Sequence, residues 1–103
     1  METLTGKQKR FLRGLGNRLK ATVYIGQKGI TESAISALIE AFNNNELVKV
    51  KIQDGYSGSK TELAEILAEK ASVSLVQILG NTLLFYSPDM DEPKVKLPSK
   101  NKS

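Results

Sequence analysis

Cysteine, histidine and tryptophan are all missing from this chain of 103 residues. Without cysteine, disulfides and thiolate chemistry are excluded. Without histidine, the commonest general base and the commonest metal ligand are gone. Aromatic residues make up only 6% of the sequence, which leaves little material for stacking on bases: Tyr24 and Tyr56 are the ones expected to be exposed, and packing or plain contact with solvent accounts for each. No apolar run approaches the ~20 residues of a membrane span, and the N-terminus has no apolar signal region. A cytoplasmic protein without a membrane partner is the expectation. Proline is absent before Pro88, so nothing of that kind interrupts helices or strands upstream. Acids are scarce at one end. Within the first thirty residues Lys7, Lys9, Arg10, Arg13, Arg18, Lys20 and Lys28 face Glu2 alone, a net +6, whereas residues 31–87 carry −3 and residues 88–103 carry +1.

Hydrophobic residues at 40% and charged residues at 25% suit one globular domain with a single core. The expected division is a domain over residues 1–87 followed by a charged, proline-containing tail over 88–103. Short of large apolar residues, the tail is expected to be mobile or loosely docked. A cationic block beside a mildly acidic body implies an anionic partner for that end.

Thr5-Gly6-Lys7-Gln8 has the form of a capping box. Gln8, Phe11, Leu12, Leu15 and Leu19 then recur at helical spacing and predict a buried stripe, the helix stopping near Asn17. Lys9, Arg10 and Arg13 fall opposite that stripe, with Lys7 and Arg18 at its margin. A solvated outer face accounts for them, as does a phosphate-binding face, and the shortage of acids favours the latter. Thr22–Ile25 reads as a strand. Thr31 caps a second helix whose inward residues are Ile35, Leu38, Ile39 and Phe42. In Leu47–Gln53, Val48, Val50 and Ile52 alternate with Lys49, Lys51 and Gln53, a strand with one covered face and one basic, wet face. Ser59-Lys60-Thr61-Glu62 opens a third helix with Leu63, Ile66 and Leu67 inward and an acidic outer surface. Two β-rich runs joined by Gly80-Asn81 form a hairpin. The order is α-β-α-β-α-β-β, and the economical architecture is an α/β two-layer sandwich with a four-stranded mixed sheet.

Between the first strand and the second helix lies Gly26-Gln27-Lys28-Gly29. Its glycines keep side chains away from a ligand, the helix behind it offers unpaired amides, and Lys28 adds a charge. That combination suits a phosphate. An ordinary turn needs the same glycines, and a second pair, Gly55-Tyr56-Ser57-Gly58, reads as a turn into the third helix.

Four segments together carry a resemblance: Leu4-Thr5-Gly6-Lys7-Gln8-Lys9-Arg10, Ile25-Gly26-Gln27-Lys28-Gly29-Ile30-Thr31, Glu46-Leu47-Val48-Lys49-Val50-Lys51, and Gly80-Asn81-Thr82-Leu83 with Tyr86. In this order and spacing they resemble the YhbY-type bacterial single-domain proteins of the CRM family, over about residues 3–98. The resemblance implies a fold similar to the C-terminal domain of translation initiation factor three. It also implies RNA binding, with Gly26, Gln27, Lys28 and Gly29 in the place of the GXXG loop of KH domains. The implied RNA is ribosomal, on precursors of the large subunit. Many CRM domains end the last strand with Tyr-Arg; here Ser87 follows Tyr86.

The expected function is therefore a non-catalytic RNA binder. Lys7, Lys9, Arg10, Arg13, Arg18, Lys20 and Lys28 would meet phosphates, joined by Lys49 and Lys51 where their sheet face is open. A protein-binding adaptor, docking its basic helix on an acidic ribosomal protein or factor, is the alternative. Glu62, Glu65 and Glu69 on one helix, and Asp89, Asp91 and Glu92 in the tail, come with no base, nucleophile or metal cluster, so neither an enzyme nor a cofactor nor a small-molecule substrate is expected.

Overall fold

A computed structural model describes residues 4–89 and 91–98. Seven elements follow in order: α1 (Gly6–Gly16), β1 (Val23–Ile25), α2 (Glu32–Ala41), β2 (Leu47–Ile52), α3 (Lys60–Ala71), β3 (Ser74–Leu79) and β4 (Thr82–Tyr86). The sheet runs β1-β2-β4-β3. β1 lies parallel to β2, while β4 is antiparallel to both β2 and β3. β2 and β3 are thus parallel with β4 slotted between them, and a helix joins each parallel pair because such strands need a crossover.

Alternation sets the two faces. Val48, Val50 and Ile52 on β2 join Val23 and Ile25 of β1 and Leu83 and Phe85 of β4 in the main core. α2 and α3 close it with Leu38, Leu63, Ala64 and Leu67. The α/β class, the four-stranded mixed sheet and the three helices are those the sequence predicts, but helices cover both faces of the sheet rather than one. β4 is central, and its other face is covered too: Leu84 and Tyr86 form a second cluster with Leu12 of α1 and Val76 of β3. α1 therefore lies on the sheet face opposite α2 and α3. An irregularity between Leu75 and Gln77 adds one residue to β3, so that Leu75 and Ile78, three apart, both pack on the main core.

Every expected helix start is capped by its own side chain. Thr5 and Gln8 exchange both bonds of the capping box, at 3.1 and 3.0 Å. The hydroxyls of Thr31 and Ser59 accept from the amides of Ala34 and Glu62 at 3.1 and 3.2 Å. α1 ends at Gly16 with Asn17 as its C-cap.

Which residues the helices bury differs from expectation. α1 buries Gln8, Leu12 and Gly16, and leaves Phe11, Leu15 and Leu19 about 40% exposed, at 40%, 41% and 37%. Gly16 lies where α1 comes closest to the sheet, since a Cβ there would stand 2.6 Å from Leu84 Cδ2; with Gln8, Leu12 and Gly16 on that line, part of the apolar stripe turns outward. Ile39 and Ile66 are likewise exposed rather than inward. On α3 the small Ala64 is fully buried instead, which brings that helix close along a narrower arc.

The expectation of a loose tail is corrected over residues 91–98. Val95 and Leu97 pack on the second cluster, and the Gln8 side-chain amide donates to the Pro98 carbonyl at 2.9 Å. Glu46, buried at the start of β2, accepts from the amides of Asp89 (2.6 Å), Lys94 (2.7 Å) and Val95 (2.6 Å). A carboxylate holding three amides makes charge-assisted bonds of the stronger kind. The expectation for residues 99–103 lies outside the described residues.

Candidate nucleic-acid interface

β1 ends where the Gly26–Gly29 turn begins. The Gly29 amide donates to the Gly26 carbonyl at 3.0 Å, and Gly29 takes φ +76°, a conformation that glycine adopts without a Cβ penalty. Gln27 and Lys28 at the turn's tip are exposed. The turn opens into a cleft of about 490 Å³ that reaches the first turns of α2, with Thr31, Ser33, Ala34 and Ala37 along one wall and Tyr24 on the other. Small and hydroxyl-bearing residues there leave the backbone within reach of a ligand.

The second glycine pair does more than turn the chain into α3. The Tyr56 ring lies against Gly29, where a Cβ would meet its Cε1 at 2.9 Å, and Gly58 makes room for the same ring on its other side. Gln27 lies over Gly55, itself at φ +100°. The two glycine loops thus form one interlocked corner, and the half-buried Tyr56 joins it to the main core.

Tyr24 sits between Val23 and Ile25, so the pleat turns it to the face on which α1 lies. Its ring is 54% exposed and its hydroxyl donates to the Ala21 carbonyl at 3.2 Å. Lys51 is its neighbour in register on β2, exposed like Tyr24. Lys49 differs from the expected wet face: it is half-buried, and its Nζ donates to the Leu19 carbonyl at 3.0 Å, fastening the connector between α1 and β1. Arg18 and Lys20 project from that connector, exposed, and the Thr22 amide closes it by donating a hydrogen bond to the Lys49 carbonyl.

Lys49 and Lys51 thus lie on α1's side of the sheet, Arg18 and Lys20 are exposed on the connector that Lys49 fastens, and Tyr24 also lines the cleft of Lys28 and the glycine turn. The cations further back on α1 are spread out. Arg13 is half-buried in the last turn, whereas Lys7, Lys9 and Arg10 lie roughly 9–14 Å along the axis from Gly16, at ~1.5 Å per residue. Among the described residues, no three of the metal-ligating types His, Cys, Asp and Glu come together as a metal site, and no helix is long and apolar enough to cross a membrane. The acids at Glu62, Glu65 and Glu69 line a shallow dip beside Ile66 on α3, on the other side of the sheet.

Comparison with known proteins decides the family. The CRS1 / YhbY (CRM) domain family model matches residues 4–87. This chain belongs to that family. A Haemophilus influenzae relative named "RNA-binding protein" is 35% identical over 97% of this chain and 100% of its own length. The Bacillus subtilis "Probable RNA-binding protein YqeI" is 35% identical over 92% and 99%. A CRM-domain containing factor of rice, CFM3, is 28% identical over 96% of this chain but only 11% of its own length. The solution structure of the hypothetical protein SAV1595 from Staphylococcus aureus is similar to this fold with a TM-score of 0.81 and 36% identity, over 93% of this chain and all of that one.

Glu46 and Tyr56 were not picked out as structural supports from the sequence. Glu46 did leave a signal, because it stands in phase with Val48, Val50 and Ile52, an acid where the pattern calls for an apolar residue. Tyr56 left only its place between two glycines.

Proposed function

We propose that this protein binds RNA without catalysis, and that its RNA is ribosomal, met during assembly of the large subunit. The names of the bacterial relatives support the RNA part. The observation that carries it here is the exposed Lys28 turn, opening on a cleft whose far wall, Tyr24, adjoins the sheet-face lysine Lys51. A ribose-phosphate chain fits such a surface: Lys28 at the turn's tip meets one phosphate, Lys51, Lys20 and Arg18 meet neighbours, and Arg13, Arg10, Lys9 and Lys7 extend the field along α1. Contacts of this type fix position rather than read sequence.

Crosslinking in cells, with sequencing of the attached RNA, tests the assignment. Reads concentrated on large-subunit ribosomal RNA and its precursors are expected. A map dominated by messenger or transfer RNA would remove the ribosomal part. The adaptor reading gains one observation of its own, the exposed Phe11 and Leu15 on α1. Lys28→Glu separates the two readings, since it should weaken RNA binding and leave a protein contact through α1 intact.

A further inference from the structure

We propose that Tyr24 is a stacking platform for one unpaired nucleobase, so that the preferred ligand is a single-stranded RNA segment rather than a duplex. The inference rests on the RNA-binding reading above and adds to it the form of the RNA and the place where a base is held.

Tyr24 lies where two hollows meet. On one side is the 490 Å³ cleft of the glycine turn. On the other is a groove of about 400 Å³ lined by Tyr24, Lys51, Gln53, Asp54 and Asn81. Packing gives no reason for an aromatic at this position: Val23 and Ile25 on either side are 4% and 1% exposed, whereas Tyr24 is 54% exposed. The bond from its hydroxyl to the Ala21 carbonyl limits how the ring can turn, so less conformational freedom is lost when a base lies on it.

The chemistry of the second groove sorts base from backbone. The amides of Gln53 and Asn81 offer donors and acceptors suited to a base edge. Asp54 repels phosphate and accepts from base N–H groups. Phosphates are favoured on the flanks, at Lys28 on one side and Lys51 on the other. A strand crossing the edge of the sheet at β1 therefore leaves its phosphates on the two lysines and lays a base on the ring between them. A paired base inside a duplex keeps both faces in its own stack and cannot take this place.

Fluorescence anisotropy with a labelled short single-stranded RNA, and with a blunt RNA duplex of the same sequence, tests this at one fixed salt concentration. Tyr24→Leu keeps an apolar residue at an exposed strand position, and an unchanged melting curve confirms the fold. It should weaken single-strand binding by roughly 5- to 150-fold, the range for loss of one base–aromatic stack. Duplex binding should stay within about twofold, and Tyr24→Phe, which keeps the ring but loses the bond to Ala21, should weaken single-strand binding far less than Tyr24→Leu and leave duplex binding unchanged. Lys28→Glu should weaken both. If Tyr24→Leu binds the single strand like the unaltered protein, or loses equally on both RNAs, the platform is wrong while the RNA-binding reading stands. If the unaltered protein binds neither RNA, both fall together.

Discussion

Gly29 and Gly14 are the same residue type with opposite roles, and the difference can be measured. At Gly29 the backbone has φ +76° and the Tyr56 ring occupies the space a Cβ would take. Gly29→Ala should cost about 1–2 kcal/mol of stability in urea titration. At Gly14, inside α1, nothing lies within 4 Å of an added Cβ, and alanine should gain about 0.5–1 kcal/mol there. Tyr86 gives a dependence on pH. Burial first, and the Glu46 carboxylate second, push its phenol above the ordinary value of 10.0. The folded chain therefore favours the neutral phenol: its contribution is whole below pH 10 and is lost as pH rises from there through the folded value, where the unfolded chain has already shed the proton. Tyr86→Phe should flatten that part of the stability curve. At this scale the sequence was readable for caps, where Thr5, Thr31 and Ser59 act as their types predict. It was unreadable for Tyr56, whose contact with Gly29 joins loops far apart in the chain.

Among elements, α1 and the tail differ most from expectation, and for linked reasons. The stripe Phe11–Leu15–Leu19 is a fair reading of helical period, but period cannot tell which part of a stripe meets the sheet. Gly16 marks the closest approach, against Leu84, while Gly14, just as small, faces open space, so residue size alone does not say which side of the helix packs. The tail docks through one buried carboxylate. Glu46→Gln replaces an acceptor oxygen with a donor opposite amides that need an acceptor, and should cost about 1–3 kcal/mol. Hydrogen exchange at Lys94 and Val95 should quicken more than exchange in β4. Unchanged exchange at those two amides would mean that Val95 and Leu97 hold the tail without help from Glu46. The strands and the order of elements were legible because alternation and turn residues are local. The strand order β1-β2-β4-β3 was not, since it depends on which strand is buried on both faces.

Across the whole molecule, the charge imbalance was plain in the sequence and its arrangement was not. A count of +6 in thirty residues does not say that α1 shares a sheet face with Lys49 and Lys51, or that Tyr24 connects this face to the glycine turn. Those relations come from β4 being covered on both sides; its unbroken apolar run Leu83–Tyr86 is the local sign of such burial, but nothing local says which helix covers which face. In the proposed function these cations act together on an RNA backbone. The most direct measurement is the slope of log affinity against log salt for a large-subunit ribosomal RNA fragment, for the unaltered protein and for Lys28→Glu. A steep negative slope is expected, with the variant shallower by about one unit for the lost phosphate contact. An affinity that hardly changes between low and moderate salt, or a slope that Lys28→Glu leaves untouched, would contradict it.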